Sequence, residues 1–130
     1  MGKGKRSRLH HDDIVKILAQ RLHDIGTLDT ILTHEFYDTG KYRGEVDVLA
    51  HSKDRWRFYE VKTTDNERAY NHALDQYWRY CRAHPARDVA GIYVTTTCVQ
   101  RMPRYRPNGR KEQSSQTTQS AQIFVGNKAV

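Results

Sequence analysis

Glu45-Val46-Asp47-Val48-Leu49-Ala50, followed by Trp56-Arg57-Phe58-Tyr59-Glu60-Val61-Lys62, is the stretch from which the fold is read. Both segments are rich in β-branched and aromatic residues, and the polar run His51-Ser52-Lys53-Asp54-Arg55 separates them. That pattern predicts two antiparallel strands joined by a tight turn with its tip at Lys53-Asp54. Side chains alternate along a strand, so Glu45, Asp47 and Leu49 are expected on one face, and Trp56, Phe58, Glu60 and Lys62 on one face of the partner. Folding about that tip sets Asp47 opposite Glu60 and Glu45 opposite Lys62, and opposed side chains in such a ladder lie about 5 Å apart.

Two carboxylates that close repel, and each raises the other's pKa. A hard divalent cation between them removes the conflict, because Mg²⁺ takes oxygen ligands; Mn²⁺ is an expected substitute. A lysine beside the cation can orient an attacking water or stabilise negative charge on a phosphate in the transition state. The cation lowers the pKa of its bound water and polarises a phosphoryl oxygen. The implied reaction is metal-dependent phosphodiester hydrolysis. The bland account is an edge strand that carries charge against aggregation, with an ordinary Glu–Lys cross-strand pair. Three charged groups on a face shared with Trp56, Phe58 and Leu49 are costly unless they have a task, which favours a site.

Gly44-Glu45-Val46-Asp47-Val48-Leu49-Ala50, then Phe58-Tyr59-Glu60-Val61-Lys62-Thr63, resembles the signature of the PD-(D/E)xK nuclease superfamily. The nearest flavours are the archaeal Holliday junction resolvases, the YraN-like proteins with their Gly-Glu-Ile-Asp pattern, and the RecB-type nuclease domains. Val46-Asp47 stands where the superfamily name has Pro-Asp, a departure many members share. The resemblance implies Asp47 and Glu60 as metal ligands and Lys62 as the catalytic lysine. It also implies an α/β, restriction-endonuclease-like core, ordered α-β-β-β-α-β, with a mixed central sheet flanked by helices. The motif covers residues 44–63, and the order of elements extends the likeness to about 9–97.

The chain of 130 residues suits a single domain, with a core over about 9–100, a basic N-terminal arm at 1–8 and a C-terminal tail at 101–130. Its formal net charge of +7 favours a polyanionic partner, most simply nucleic acid, although a basic surface also serves solubility alone. Cys81 and Cys98 form no CxxC pair, which argues against a disulfide scaffold or a zinc site. There is no secretory apolar region and no run near the ~20 apolar residues of a membrane span. The expectation is a soluble intracellular protein: cytoplasmic, nucleoid-associated or acting in a viral host cell.

Along the chain, Lys3, Lys5, Arg6 and Arg8 make an arm able to track phosphates or simply fray. Ile14, Ile17, Leu18, Leu22 and Ile25 predict a helix from His10 or His11 to Asp24, with Asp12 and Asp13 at its positive end and Gly26 at its exit. In the resemblance this helix supplies a glutamate in resolvases and a histidine in RecB-type members. Here His10, His11, Asp12 or Asp13 are the available stand-ins, and capping explains the aspartates as well. Thr30 to Tyr37 reads as the first strand, and Asp38 to Lys41 as a turn. Glu35 is a candidate second-line metal support or a solvated edge carboxylate. Glu45 is another support, and Lys41, Tyr42 and Arg43 are placed to touch DNA backbone.

Thr63 to Asn66 holds good N-caps for a helix from about Glu67 to His84, stopped by Pro85. Gln76-x-x-x-Tyr80 on it resembles the Gln-x-x-x-Tyr pattern of RecB-type nucleases, which implies that Gln76, with Tyr80, helps position the metal site or DNA. Trp78, Arg79 and Arg82 suit a DNA-facing flank, though Trp78 suits a core equally. Val89 to Thr95 reads as a buried strand, and the crossover through the second helix makes it parallel to the hairpin strand it joins. Beyond Gln100, Arg101, Arg104, Arg106, Arg110 and Lys111 form a second basic arm or a solvated tail, and Ile123-Phe124-Val125 is a candidate short strand or a segment that docks onto a partner chain.

The leading expectation is a Mg²⁺-dependent DNA endonuclease for branched or duplex DNA, resembling Holliday junction resolvases. Symmetric cutting of two strands then predicts a homodimer. The alternatives are a RecB-like exonuclease acting at DNA ends, a non-catalytic nucleic-acid-binding protein on the same fold, and an RNA enzyme on that scaffold.

Overall fold

Four-residue steps of Ile14, Leu18 and Leu22 put one apolar stripe on the first helix, α1 (His11–Ile25), and the stripe is buried. The helix closes at Gly26, whose φ of 73° is the left-handed conformation a C-cap requires. In this computed structural model, residues 10–106 are described. After α1 come β1 (Thr30–Asp38), β2 (Arg43–Ser52), β3 (Arg55–Val61), α2 (Glu67–Ala83), β4 (Asp88–Val94) and β5 (Val99–Arg101). The strands form one five-stranded sheet in the order β1-β2-β3-β4-β5. Pairing is antiparallel except between β3 and β4, which run parallel across the α2 crossover. The chain is thus an α/β protein with a mixed sheet flanked by helices, in the expected order plus one short strand.

Each face of the sheet carries its own core. Val48, Ala50, Tyr59, Val61 and Val94 pack against the α1 stripe. Leu49, Phe58, Val89 and Tyr93 pack against Ala73, Tyr77 and Tyr80 of α2. The α2 helix approaches β4 so closely that a Cβ on Gly91 would stand 2.6 Å from the Tyr77 ring. The Tyr77 hydroxyl donates to the Val89 carbonyl at 2.7 Å, so the close approach buries no orphaned phenol.

The hairpin has the expected register and a shorter tip. β2 runs on to Ser52, and only Lys53 and Asp54 turn, with Lys53 at φ 55°. Its ladder runs from Ser52↔Arg55 to Val48↔Tyr59 and stops one step short of Asp47 and Glu60. On the other side, the β1–β2 register skips one pair, His34 with Asp47. His34 has φ 52°, a conformation that histidine tolerates better than most residues but that still breaks the pleat. Beyond it the order of faces inverts. Val46 packs with Leu49 on the α2 side, while Val48 between them packs on the α1 side. Strict alternation therefore fails at Asp47. Glu45, expected on the face of Asp47 and Leu49 and opposite Lys62, instead turns toward α1.

The chain also stays packed beyond the expected core. Arg101 lies in β5, Met102 is buried with its N–H on the Gly91 carbonyl, and Arg104 pairs with Asp88. The expected tail therefore begins with a strap over the α2-side core, because Met102 and Tyr105 find apolar surface there. Lys3, Lys5, Arg6, Arg8, Arg110, Lys111 and Ile123 to Val125 lie outside the described residues.

Candidate active site

Where the β2–β3 ladder ends, a carboxylate takes over from the backbone. The Val61 N–H donates to Asp47 Oδ2 at 2.8 Å, which holds the Asp47 side chain between the two splayed strands. Asp47 is 8% exposed and Glu60 5%. On the α1 side, His11 Nε2 stands 3.3 Å from Asp47 Oδ2. On the other, Lys62 Nζ stands 3.4 Å from Glu60 Oε2. Lys62 falls just past β3, yet its N–H donates to the Val94 carbonyl at 2.9 Å, so β4 fixes its backbone.

Glu60 Oε1 is buried and has no hydrogen-bond partner among the described residues. Burial, then the nearby Asp47 charge, push the Glu60 carboxyl up to about 8, with Lys62 opposing the rise. A carboxyl in that state either keeps a proton or acquires a cation.

Among the described residues, no three or more His, Cys, Asp and Glu side chains form a ready-made metal cage. Mg²⁺ does not require one, since it typically binds one or two carboxylates and completes its shell with water and phosphate oxygens. Asp47 and Glu60 meet that demand as paired hard-oxygen donors, one of them with an unpartnered buried oxygen.

The surroundings add two histidines that sequence reasoning did not single out. Lys62 Nζ is 2.6 Å from His72 Nδ1 on α2. An ammonium has no lone pair, so it donates and the imidazole Nδ1 accepts. His34 bridges Glu45 Oε2 at 3.1 Å and Asp12 Oδ1 at 3.6 Å, which ties the start of α1 to the inverted end of β2. His72 carried a usable signal: it lies one helical turn before Gln76, on the helix entered just after Lys62. His34 carried none, because its importance arises from a backbone conformation. A cleft of about 450 Å³ opens beside Lys62, lined by Thr63, Thr64, Asn66, Arg68 and His72.

The remaining candidates divide clearly. His11 stands at the acidic pair. Asp13 does not; its carboxylate accepts the His10 N–H and caps α1. Tyr80 is core, 1% exposed, with its hydroxyl accepting from Arg87. Gln76 accepts from Arg79 on its own helix, and no hydrogen bond links it to Asp47, Glu60 or Lys62. The Gln76–Tyr80 pattern is thus a surface pair plus a packed ring in this fold. Glu35 lies toward Tyr80, whose phenol pKa its charge helps raise after the larger effect of burial. Lys41 and Arg43 are exposed, Lys41 over the Tyr42 ring and Arg43 beside Asp38.

No helix among the described residues is long and apolar enough to cross a membrane. No protein-family model matches the chain, and comparison with curated proteins finds no match. Among solved structures, the chain is similar to the small subunit of the heterodimeric restriction endonuclease R.BspD6I, with a TM-score of 0.44 and 10% identity over 67% of this chain and 50% of that one. The chain therefore matches over about half the length of that subunit.

Proposed function

We propose that this protein is a Mg²⁺-dependent DNA nuclease that hydrolyses phosphodiester bonds, with Asp47 and Glu60 as metal ligands and Lys62 as the catalytic lysine. The observation that carries the reading is Glu60 Oε1, a buried carboxylate oxygen with no partner, beside a second buried carboxylate. Natural proteins rarely leave such an atom unsatisfied, and a bound cation is a standard remedy. When bound, Mg²⁺ would supply Lewis-acid stabilisation and a more acidic water.

The chain's own residues do the rest. The Val61 N–H and His11 hold the Asp47 carboxylate in place. Lys62, held by His72 and by the Val94 carbonyl, stands beside Glu60 as a donor toward a scissile phosphate that would gain negative charge there. Thr63, Arg68 and His72 around the adjoining cleft offer donors to the DNA backbone. The net charge of +7 supports a polyanionic substrate.

Within this class we favour a structure-specific endonuclease resembling Holliday junction resolvases, acting as a homodimer on branched DNA. The Gln76–Tyr80 pattern that favoured RecB-like exonucleases makes no hydrogen bond to the acidic pair. The test is to incubate the purified chain with labelled four-way junction, linear duplex and single-stranded RNA, each with Mg²⁺, Mn²⁺ or EDTA. Paired symmetric nicks in the junction are expected, with loss of cleavage in EDTA. Progressive shortening from ends would favour the exonuclease, and no cleavage of any substrate would favour a binding protein.

A further inference from the structure

A second cleft, of about 380 Å³, opens on the α2 side of the sheet, away from the acidic pair. Its volume falls at the lower end of the range of about 300–1,000 Å³ for small-ligand sites. Cys81 and Val89, both buried, line its interior. Burial raises the Cys81 thiol to about 12, so the floor carries no negative charge near neutrality. Tyr42 and Tyr105 stand on the walls, half-buried against the α2-side core.

Arg82, Arg87, Arg104 and Pro85 also line it, with Asp88 as the one carboxylate. Asp88 is matched by Arg104. Arg87 lies 3.9 Å over the Trp56 ring and donates to the Tyr80 hydroxyl. Arg82 has no carboxylate partner among the described residues, and its guanidinium stands 5.5 Å from the Tyr105 ring centroid. Lys41 adds a further cation over the Tyr42 ring. The strap that carries Tyr105 is anchored by the Met102 N–H and by Arg104, so the walls are held before any ligand arrives.

We propose that this cleft binds one unpaired nucleotide, its base against the Tyr42 and Tyr105 rings and its phosphate on the Arg82 guanidinium. An apolar floor, aromatic walls and a planar cation without a carboxylate partner among the described residues match the three chemical parts of that ligand. A base paired in a duplex must first be unstacked and unpaired at a cost of a few kcal/mol, so the ligand is a free nucleotide or an unpaired nucleotide within a strand. The inference does not depend on the acidic pair being catalytic.

The test uses the full chain in EDTA, with a fluorescein-labelled single-stranded hexanucleotide followed by anisotropy. Arg82→Gln is expected to weaken binding about tenfold and to reduce the slope of log affinity against log salt by about 0.7, the share of one phosphate contact. Tyr42→Leu is expected to weaken binding about tenfold with the slope unchanged. Displacement by adenosine monophosphate assigns the site to free nucleotides; no displacement, with the Arg82 effect intact, assigns it to strands. Wild-type affinity in both variants overturns the proposal. Should a variant melt early, amide shift mapping by NMR on the wild type decides the matter. Shifts at Tyr42, Arg82 and Tyr105 support the cleft, and shifts confined to Lys62 through His72 overturn it while leaving the nuclease reading standing.

Discussion

Glu60→Gln should make the metal-free protein more stable, not less. The wild-type carboxyl is 5% exposed, faces Asp47, and titrates near 8 in place of its ordinary 4.5. The folded state therefore holds a proton that the unfolded chain releases. Stability is unaffected below the unfolded value, falls as pH rises between 4.5 and about 8, and is flat above. The slope of about 1.4 kcal/mol per pH unit amounts to about 3 kcal/mol by pH 7. Glutamine keeps the shape and removes the proton cost, less about 1 kcal/mol for fitting an NH₂ where the neutral acid holds an O–H, so a net gain of about 2 kcal/mol is expected. For a domain of this size that is a rise in Tm of about 10 °C. The assay is a series of thermal melts in EDTA from pH 5 to pH 9. The two proteins should coincide near pH 5 and separate progressively up to pH 8. Adding Mg²⁺ should then raise the wild-type Tm and leave the variant unmoved, since about 100 Kd of ligand adds about 2.7 kcal/mol. A Glu60→Gln protein that melts at or below wild type at pH 7.5 in EDTA would refute the picture of a buried, cation-seeking carboxyl.

Four other outcomes follow from the same geometry. Lys62→Ala should lower the single-turnover cleavage rate about 10²–10³-fold while DNA affinity by anisotropy stays within a few-fold, because one electrostatic donor is removed. Asp47→Asn and Asp47→Ala should both lose cleavage, but only alanine leaves the buried Val61 N–H without its acceptor, so urea unfolding should place it about 1–3 kcal/mol below asparagine. Gly91→Ala forces a Cβ to within 2.6 Å of the Tyr77 ring and should cost about 1–3 kcal/mol by the same assay. Cleavage at limiting Mg²⁺ should rise with pH up to about 8 and then level off, since Glu60 must shed its proton to hold the ion; a profile flat from pH 6 to pH 9 counts against Glu60 as a ligand.

The patterns that proved legible were those written over short distances. Period-two and period-four repeats placed β2, β3, α1 and α2 to within a few residues, and the apolar run at Val89 to Val94 placed a buried parallel strand beside β3. The hairpin register also followed from sequence, because a two-residue tip leaves one way to align the flanking strands. What failed was the extension of strict alternation through Asp47. The faces of β2 switch at Asp47, at the level where His34 of the neighbouring strand is left-handed and the pairing skips, and no local composition announces that. Strand β5 escaped for a different reason: three residues, Val99 to Arg101, are too few to show a period and pair only because β4 offers a free edge.

The amino-acid order on its own determined that an aspartate and a Glu-x-Lys would lie on two adjacent strands in facing register, since strand periodicity and turn length are local properties. Only the tertiary structure decided what surrounds them. It put His11 on Asp47, put His72 on Lys62, sent Glu45 to His34, and left Gln76 to Arg79. Those pairings depend on how two helices rest on opposite faces of a sheet, and such contacts between distant segments are settled by packing and not by any pattern a short window contains.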